Sequence, residues 1–194
     1  MVREYLRPFL QFLVIGSIAC LQGCVPIVVG AAAGTGIMMG EDRRTSASIV
    51  EDESIEVKAE NRIQERFGDQ VHVSATSFNR YILLTGNVPN EEIKGEITGL
   101  VLKLPNVRNV QNELSVSGSP SLMSRSNDGL LSARVKGRLV QNENVDADHV
   151  KVVAENGSVY LMGLVTRNEA DKAAQTAATT AGVEKVVKVF EYLD

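Results

Sequence analysis

Residues 81–88, Tyr-Ile-Leu-Leu-Thr-Gly-Asn-Val, return as residues 158–165, Ser-Val-Tyr-Leu-Met-Gly-Leu-Val, with Gly86 and Gly163 in register 77 positions apart. No other feature constrains the fold as strongly. A segment repeated with its flanking signals in the same order marks a supersecondary unit used twice, so the chain is a tandem repeat rather than one large core.

Each copy begins with an amphipathic helix, near Ile55 to Phe67 in the first and Gly129 to Val140 in the second. Two short strands follow. In the second copy Val150-Lys151-Val152 and Val159-Tyr160-Leu161 flank Asn156-Gly157, a dipeptide that accepts the positive φ values of a type I′ hairpin turn. The first copy turns around Phe78-Asn79-Arg80. Next comes a helix, opened by Pro89-Asn90-Glu91-Glu92 in copy one and by the capping-box sequence Thr166-Arg167-Asn168-Glu169 in copy two, where Gly182 ends it. A Val-rich strand closes each copy, Val107 to Val116 and Val183 to Leu193. The expected class is α+β: two tandem αββαβ domains, each a three-stranded mixed sheet packed on two helices, with the last strand parallel to the second.

The segment ahead of the repeats carries targeting signals. Arg3 and Arg7 precede an apolar run from Phe9 to Leu21, short for a spanning helix, and Leu21-Gln22-Gly23-Cys24 resembles the lipobox of bacterial lipoproteins. That resemblance implies cleavage before Cys24 and acylation of its thiol. The alternative is an uncleaved anchor running from Phe9 to Met39, which Gly30, Gly34, Gly36 and Gly40 weaken. Gly34 to Gly40 is spaced GxGxxxG with no strand before it, so it reads as tether and not as a dinucleotide loop. Residues 40–53 are polar and read as linker. The expected domains are therefore 1–23 signal peptide, 24–53 lipidated Cys and tether, 54–118 first repeat, 119–127 linker and 128–194 second repeat. By resemblance in sorting signals, Val25 after the acylated Cys directs the chain to the periplasmic face of the outer membrane.

Composition excludes several functions. A formal charge of −4 argues against nucleic acid as a partner, and two Cys, two His and no Trp leave too few ligands or thiols for a metal cluster or disulfide framework. His72 and His149 lack a companion at ligand spacing. We find no nucleophile elbow, P-loop or paired carboxylates, so neither a catalytic residue nor a cofactor is expected.

The order of elements, with Leu84-Thr85-Gly86-Asn87-Val88 and Leu161-Met162-Gly163-Leu164-Val165 at its centre, resembles the BON domain, a periplasmic module associated with phospholipid binding. With the lipobox and tether, the chain resembles the dual-BON outer-membrane lipoproteins that support envelope integrity and cell division. The second copy carries the closer likeness, from Ser126-Asn127-Asp128 to Thr166. In that family a helix of the second domain engages anionic phospholipid, which implies phosphatidylglycerol or cardiolipin as the ligand. Where the family places an aromatic side chain near the start of this helix, this chain has Leu130, which lacks the amphipathic ring favoured at a bilayer interface.

Charge separates the two equivalent helices. Residues 54–67 balance three acidic against three basic side chains, whereas residues 128–141 set Arg134, Lys136 and Arg138 against Asp128 alone. Leu131, Val135 and Leu139 follow an i, i+4, i+8 line and face the core. Leu130, Ala133, Gly137 and Val140 fall on another side, edged by the cations. Two readings follow for Leu130, Ala133, Arg134, Lys136, Gly137, Arg138 and Val140: contact with an anionic bilayer, or packing of the apolar strip against the other domain. The corresponding functions are a non-enzymatic lipid-binding envelope lipoprotein and an adaptor docking on a protein partner in the envelope.

Overall fold

The computed structural model describes residues 42–117 and 122–194; Cys24 and the signal segment lie outside them, as do residues 118–121. The first repeat runs α1 (Ser46–Phe67), β1 (His72–Phe78), β2 (Tyr81–Val88), α2 (Glu91–Val101), β3 (Asn109–Asn112) and β4 (Ser115–Val116). The second runs α3 (Leu122–Val140), β5 (Val150–Glu155), β6 (Ser158–Val165), α4 (Arg167–Ala178) and β7 (Lys185–Tyr192). Both are mixed α+β units. In each, the central strand pairs antiparallel with the strand before it and parallel with the one after the crossover helix.

Three expectations need correction. The polar stretch expected to be linker up to residue 53 is helical from Ser46, where Thr45 caps α1 by accepting from the Ser48 amide. Likewise α3 starts at Leu122, inside the expected 119–127 linker. The strand expected from Val107 to Val116 is divided, because Leu114 leaves the ladder to enter the core; β3 and β4 therefore pair separately with β2, and the first sheet has four strands.

One face of each sheet is covered by its helices. Ile55, Ala59, Ile63 and Phe67 project from α1 at helical spacing onto Ile82, Leu84 and Val88 of β2 and onto Ile97 and Val101 of α2. In the second repeat Leu131, Val135 and Leu139, the expected core line, meet Val159, Leu161 and Val165 with Ala170, Ala173 and Ala177 of α4. A third cluster joins the faces that the helices leave bare: Phe78 and Leu83 of the first sheet pack with Tyr160, Met162 and Val189 of the second. The two domains thus meet sheet to sheet. This explains why Ile82-Leu83-Leu84 and Val159-Tyr160-Leu161-Met162 are unbroken apolar runs, since a strand covered on both faces has no solvent side to make polar.

The motif glycines have a steric cause. A Cβ on Gly86 would lie 2.0 Å from the His72 carbonyl oxygen, and one on Gly163 would lie 2.3 Å from that of His149. Only a residue without a side chain lets the neighbouring strand pass this closely.

Candidate lipid-binding site

Helix α3 lies on its own sheet through Leu131, Val135 and Leu139 and leaves the opposite side open. Leu130 and Val140 keep 63% and 66% of their surface in water, and Ala133 and Gly137 between them are exposed too. The outer strip expected from helical spacing is therefore present and does not pack on the first domain.

The three cations are placed less freely than their spacing implied. Arg134 Nη1 donates to Ala181 O at 2.6 Å and Arg138 Nη1 to Thr179 O at 2.6 Å, so both guanidinium groups answer carbonyls at the C-terminal end of α4. Gly182 lets Arg134 approach, because a Cβ there would sit 3.2 Å from the guanidinium. Lys136 turns inward: its ammonium donates to the carbonyls of Ala147 and, at 3.0 Å, Val150. These partners are neutral carbonyls rather than carboxylates, so the bonds restrict the three side chains without pairing them with an acid. The arginines stay exposed and Lys136 is half-buried.

The corrected helix boundaries sharpen the contrast in charge. Over its full length α1 carries six acidic and three basic side chains, whereas α3 from residue 127 onward carries Arg134, Lys136 and Arg138 against Asp128. Asp128 itself is buried. At the N-terminal end of the strip Leu130 and Arg134 border a hollow of about 350 Å³ that reaches Asn156 and Gly157.

Spacing did not reveal the polar residues that fix this geometry. Asp52, expected in the linker, is 3% exposed. Its Oδ1 accepts from the Arg80 amide and Ser77 Oγ, both at 2.7 Å, and its Oδ2 from the Asn79 amide at 2.8 Å and Arg44 Nη1 at 2.9 Å. Arg44 also lies 3.9 Å above the Phe78 ring. Arg43, next to it, bonds the second domain: Nη2 donates to Glu169 Oε1 at 2.7 Å and Nη1 to Leu164 O at 3.0 Å. The Arg43 hydrogen bonds, aided by those from Thr166 and opposed by burial, bring the Glu169 carboxyl down to about 2. Lys151 bridges the domains by pairing with Glu56 at 2.8 Å. Among the described residues no group of three His, Cys, Asp or Glu could hold a metal ion, and no helix is long and apolar enough to cross a membrane.

Comparison with known proteins places this architecture. The BON domain family matches residues 50–118 and again 127–194. Over 184 residues, 94% of this chain and 95% of the relative, the sequence is 39% identical to the outer membrane lipoprotein DolP of Haemophilus influenzae. The chain belongs to the dual BON-domain outer-membrane lipoproteins. A second relative, the 21 kDa hemolysin of Actinobacillus pleuropneumoniae, is 28% identical over 78% of this chain and 79% of its own length. Among solved structures, the C-terminal domain of CdsD, a structural protein of the type III secretion system of Chlamydia trachomatis, matches at 17% identity with a TM-score of 0.31, covering 78% of this chain and all of that one. Both BON domains begin within the long helices α1 and α3, and α3 of the second carries the candidate surface.

Proposed function

We propose that this lipoprotein acts without enzymatic chemistry, held through acylated Cys24 at the periplasmic face of the outer membrane, where its second BON domain binds anionic phospholipid and supports envelope integrity. The observation that carries the reading is the outer side of α3, where Leu130 and Val140 stand exposed beside Arg134 and Arg138. A single helix face that combines apolar side chains with edge cations suits the boundary between headgroups and acyl chains. Each cation near an anionic surface contributes about 1 kcal/mol, and burial of the two large side chains adds to it. The acyl anchor supplies attachment, so the domain supplies recognition of the lipid and its own orientation on it.

The test uses the chain from residue 25 onward, which lacks the acylation site, floated with vesicles of phosphatidylglycerol mixed into phosphatidylethanolamine or of phosphatidylethanolamine alone. Salt-sensitive flotation with the anionic vesicles, lost in Leu130→Glu while the circular dichroism spectrum is kept, supports the reading. Absence of flotation with either vesicle overturns it and turns the search to a protein partner in the envelope.

A further inference from the structure

Alongside the C-terminal half of α3, between it and α4, runs a polar groove of about 790 Å³ lined by Arg138, Gln141, Asn142, Glu143, Lys172 and Gln175, with Thr176 and Thr179 behind them. Its floor is already built. Asn142 Nδ2 donates to Thr176 Oγ1 at 2.8 Å, and that hydroxyl donates onward to Lys172 O at 2.9 Å. The rim is uncommitted. Among the described residues Lys172 Nζ has no acidic partner, Arg138 spends one nitrogen on Thr179 O, and the side-chain carboxamides of Gln141 and Gln175 form no hydrogen bond. Two cations and two free carboxamides therefore converge on the groove against one acid, Glu143.

These groups suit a particular chemistry. A guanidinium and an ammonium on opposite walls match a phosphodiester, while carboxamides, which both donate and accept, match vicinal hydroxyls. Nothing aromatic lines the groove, so it offers no stacking surface for a sugar ring or a base. Both helices cover the same face of the second sheet, and their outer sides look the same way. A ligand in the groove is thus carried by the layer that presents Leu130 and Val140.

We propose that this groove binds a glycerophosphate group, with Lys172 and Arg138 on the phosphate and Gln141 and Gln175 on the hydroxyls. The proposal rests on the lipid reading above and extends it from the apolar strip of α3 to α4, where Lys172 selects the headgroup. The source of the group is either a phospholipid headgroup or a free phosphate ester.

The experiment again uses the chain from residue 25 onward, in two arms. In the vesicle arm Lys172→Gln lowers affinity for phosphatidylglycerol vesicles about fivefold, the effect of one cation at an anionic surface. The exposed Lys103→Gln, in the first domain, leaves affinity within twofold and Lys172→Arg restores it. In the soluble arm, nuclear magnetic resonance follows amide shifts on titration with sn-glycerol 3-phosphate or with inorganic phosphate. Shifts at residues 138–144 and 172–179 with glycerol 3-phosphate, weaker with phosphate and reduced in Lys172→Gln, support a headgroup site; equal shifts with both assign the groove to free phosphate. Equal vesicle affinity for Lys172→Gln and Lys103→Gln, with no groove shifts, overturns the proposal even where Leu130→Glu abolishes flotation. Groove shifts without flotation sustain the groove and overturn the membrane reading.

Discussion

Asp52 Oδ1 accepts a 2.7 Å hydrogen bond from the backbone amide of Arg80, across 28 residues of sequence. Asn79 and Arg80 form the β1–β2 turn with φ of 50° and 65°, a left-handed conformation that side chains disfavour. The buried carboxylate binds both turn amides and so holds the strained hairpin closed, with Arg44 compensating its charge. In the second domain Asn156 and Gly157 make the same turn at φ of 48° and 75°, where glycine removes half of the strain. Asp52→Ala strands the turn amides and the Ser77 hydroxyl, while Arg44 keeps its bonds to Asp42. We expect a loss of about 3–5 kcal/mol in urea unfolding, the cost of leaving several buried donors unpaired, with Asp52→Asn losing less. A loss under about 1 kcal/mol would show that the turn holds itself.

Replacing the motif glycines tests the close passage of the strands. Gly86→Ala and Gly163→Ala each place a methyl group against a backbone carbonyl, at 2.0 and 2.3 Å, where no rotamer gives relief. Both should abolish cooperative thermal unfolding of their own domain or lower its midpoint by more than about 10 °C, given that about 1 kcal/mol shifts a domain of this size by 4–8 °C. By contrast Gly137→Ala, which meets nothing within 4 Å, should leave the midpoint unchanged or raise it.

Lys136 and Arg134 should separate stability from binding. Lys136 supplies a charged donor to two carbonyls at the edge of the second core, so Lys136→Met should cost about 1–3 kcal/mol in chemical denaturation. Arg134 is exposed, and Arg134→Gln should cost under about 1 kcal/mol while weakening vesicle binding. Reversed costs would mean that the inward lysine contributes nothing to the fold.

The Arg43–Glu169 pair predicts a response to acid. Glu169 titrates near 4.5 when unpaired and at about 2 in the folded chain. A depressed carboxyl stabilises the fold fully above its unfolded pKa, and that contribution disappears as pH falls from about 5 to 2. Arg43→Gln should therefore lower stability at neutral pH by up to about 1 kcal/mol, as for an exposed ion pair, with the gap to wild type closing toward pH 2. A gap independent of pH would assign the loss to the Arg43–Leu164 hydrogen bond alone.

The periodicity of the sequence made much of this legible. The repeat around Gly86 and Gly163, the hairpin at Asn156-Gly157, the capping box at Thr166 and Glu169, and the core line Leu131, Val135, Leu139 are local patterns, and the structure contains each of them. Asp52 was not legible. Its surroundings are charged and rich in Ser and Thr, a composition read as linker, and its partners reach it only when the hairpin folds back. Yet the repeat held a signal: Asp52 and Asp128 each stand three residues before a core position of their helix, Ile55 and Leu131, and both are buried.

Whatever depends on neighbours along the chain was readable from the residues alone: two α+β repeats, their turns and caps, and an apolar strip on α3 beside basic side chains. Such features follow from helical and strand periods and from which residues tolerate positive φ. The starts of the helices, the face-to-face packing of the sheets, the inward turn of Lys136 and the exposure of Leu130 and Val140 emerge only in the folded chain. Each of these depends on groups far apart in sequence meeting in space, where burial and hydrogen bonding outweigh local preference.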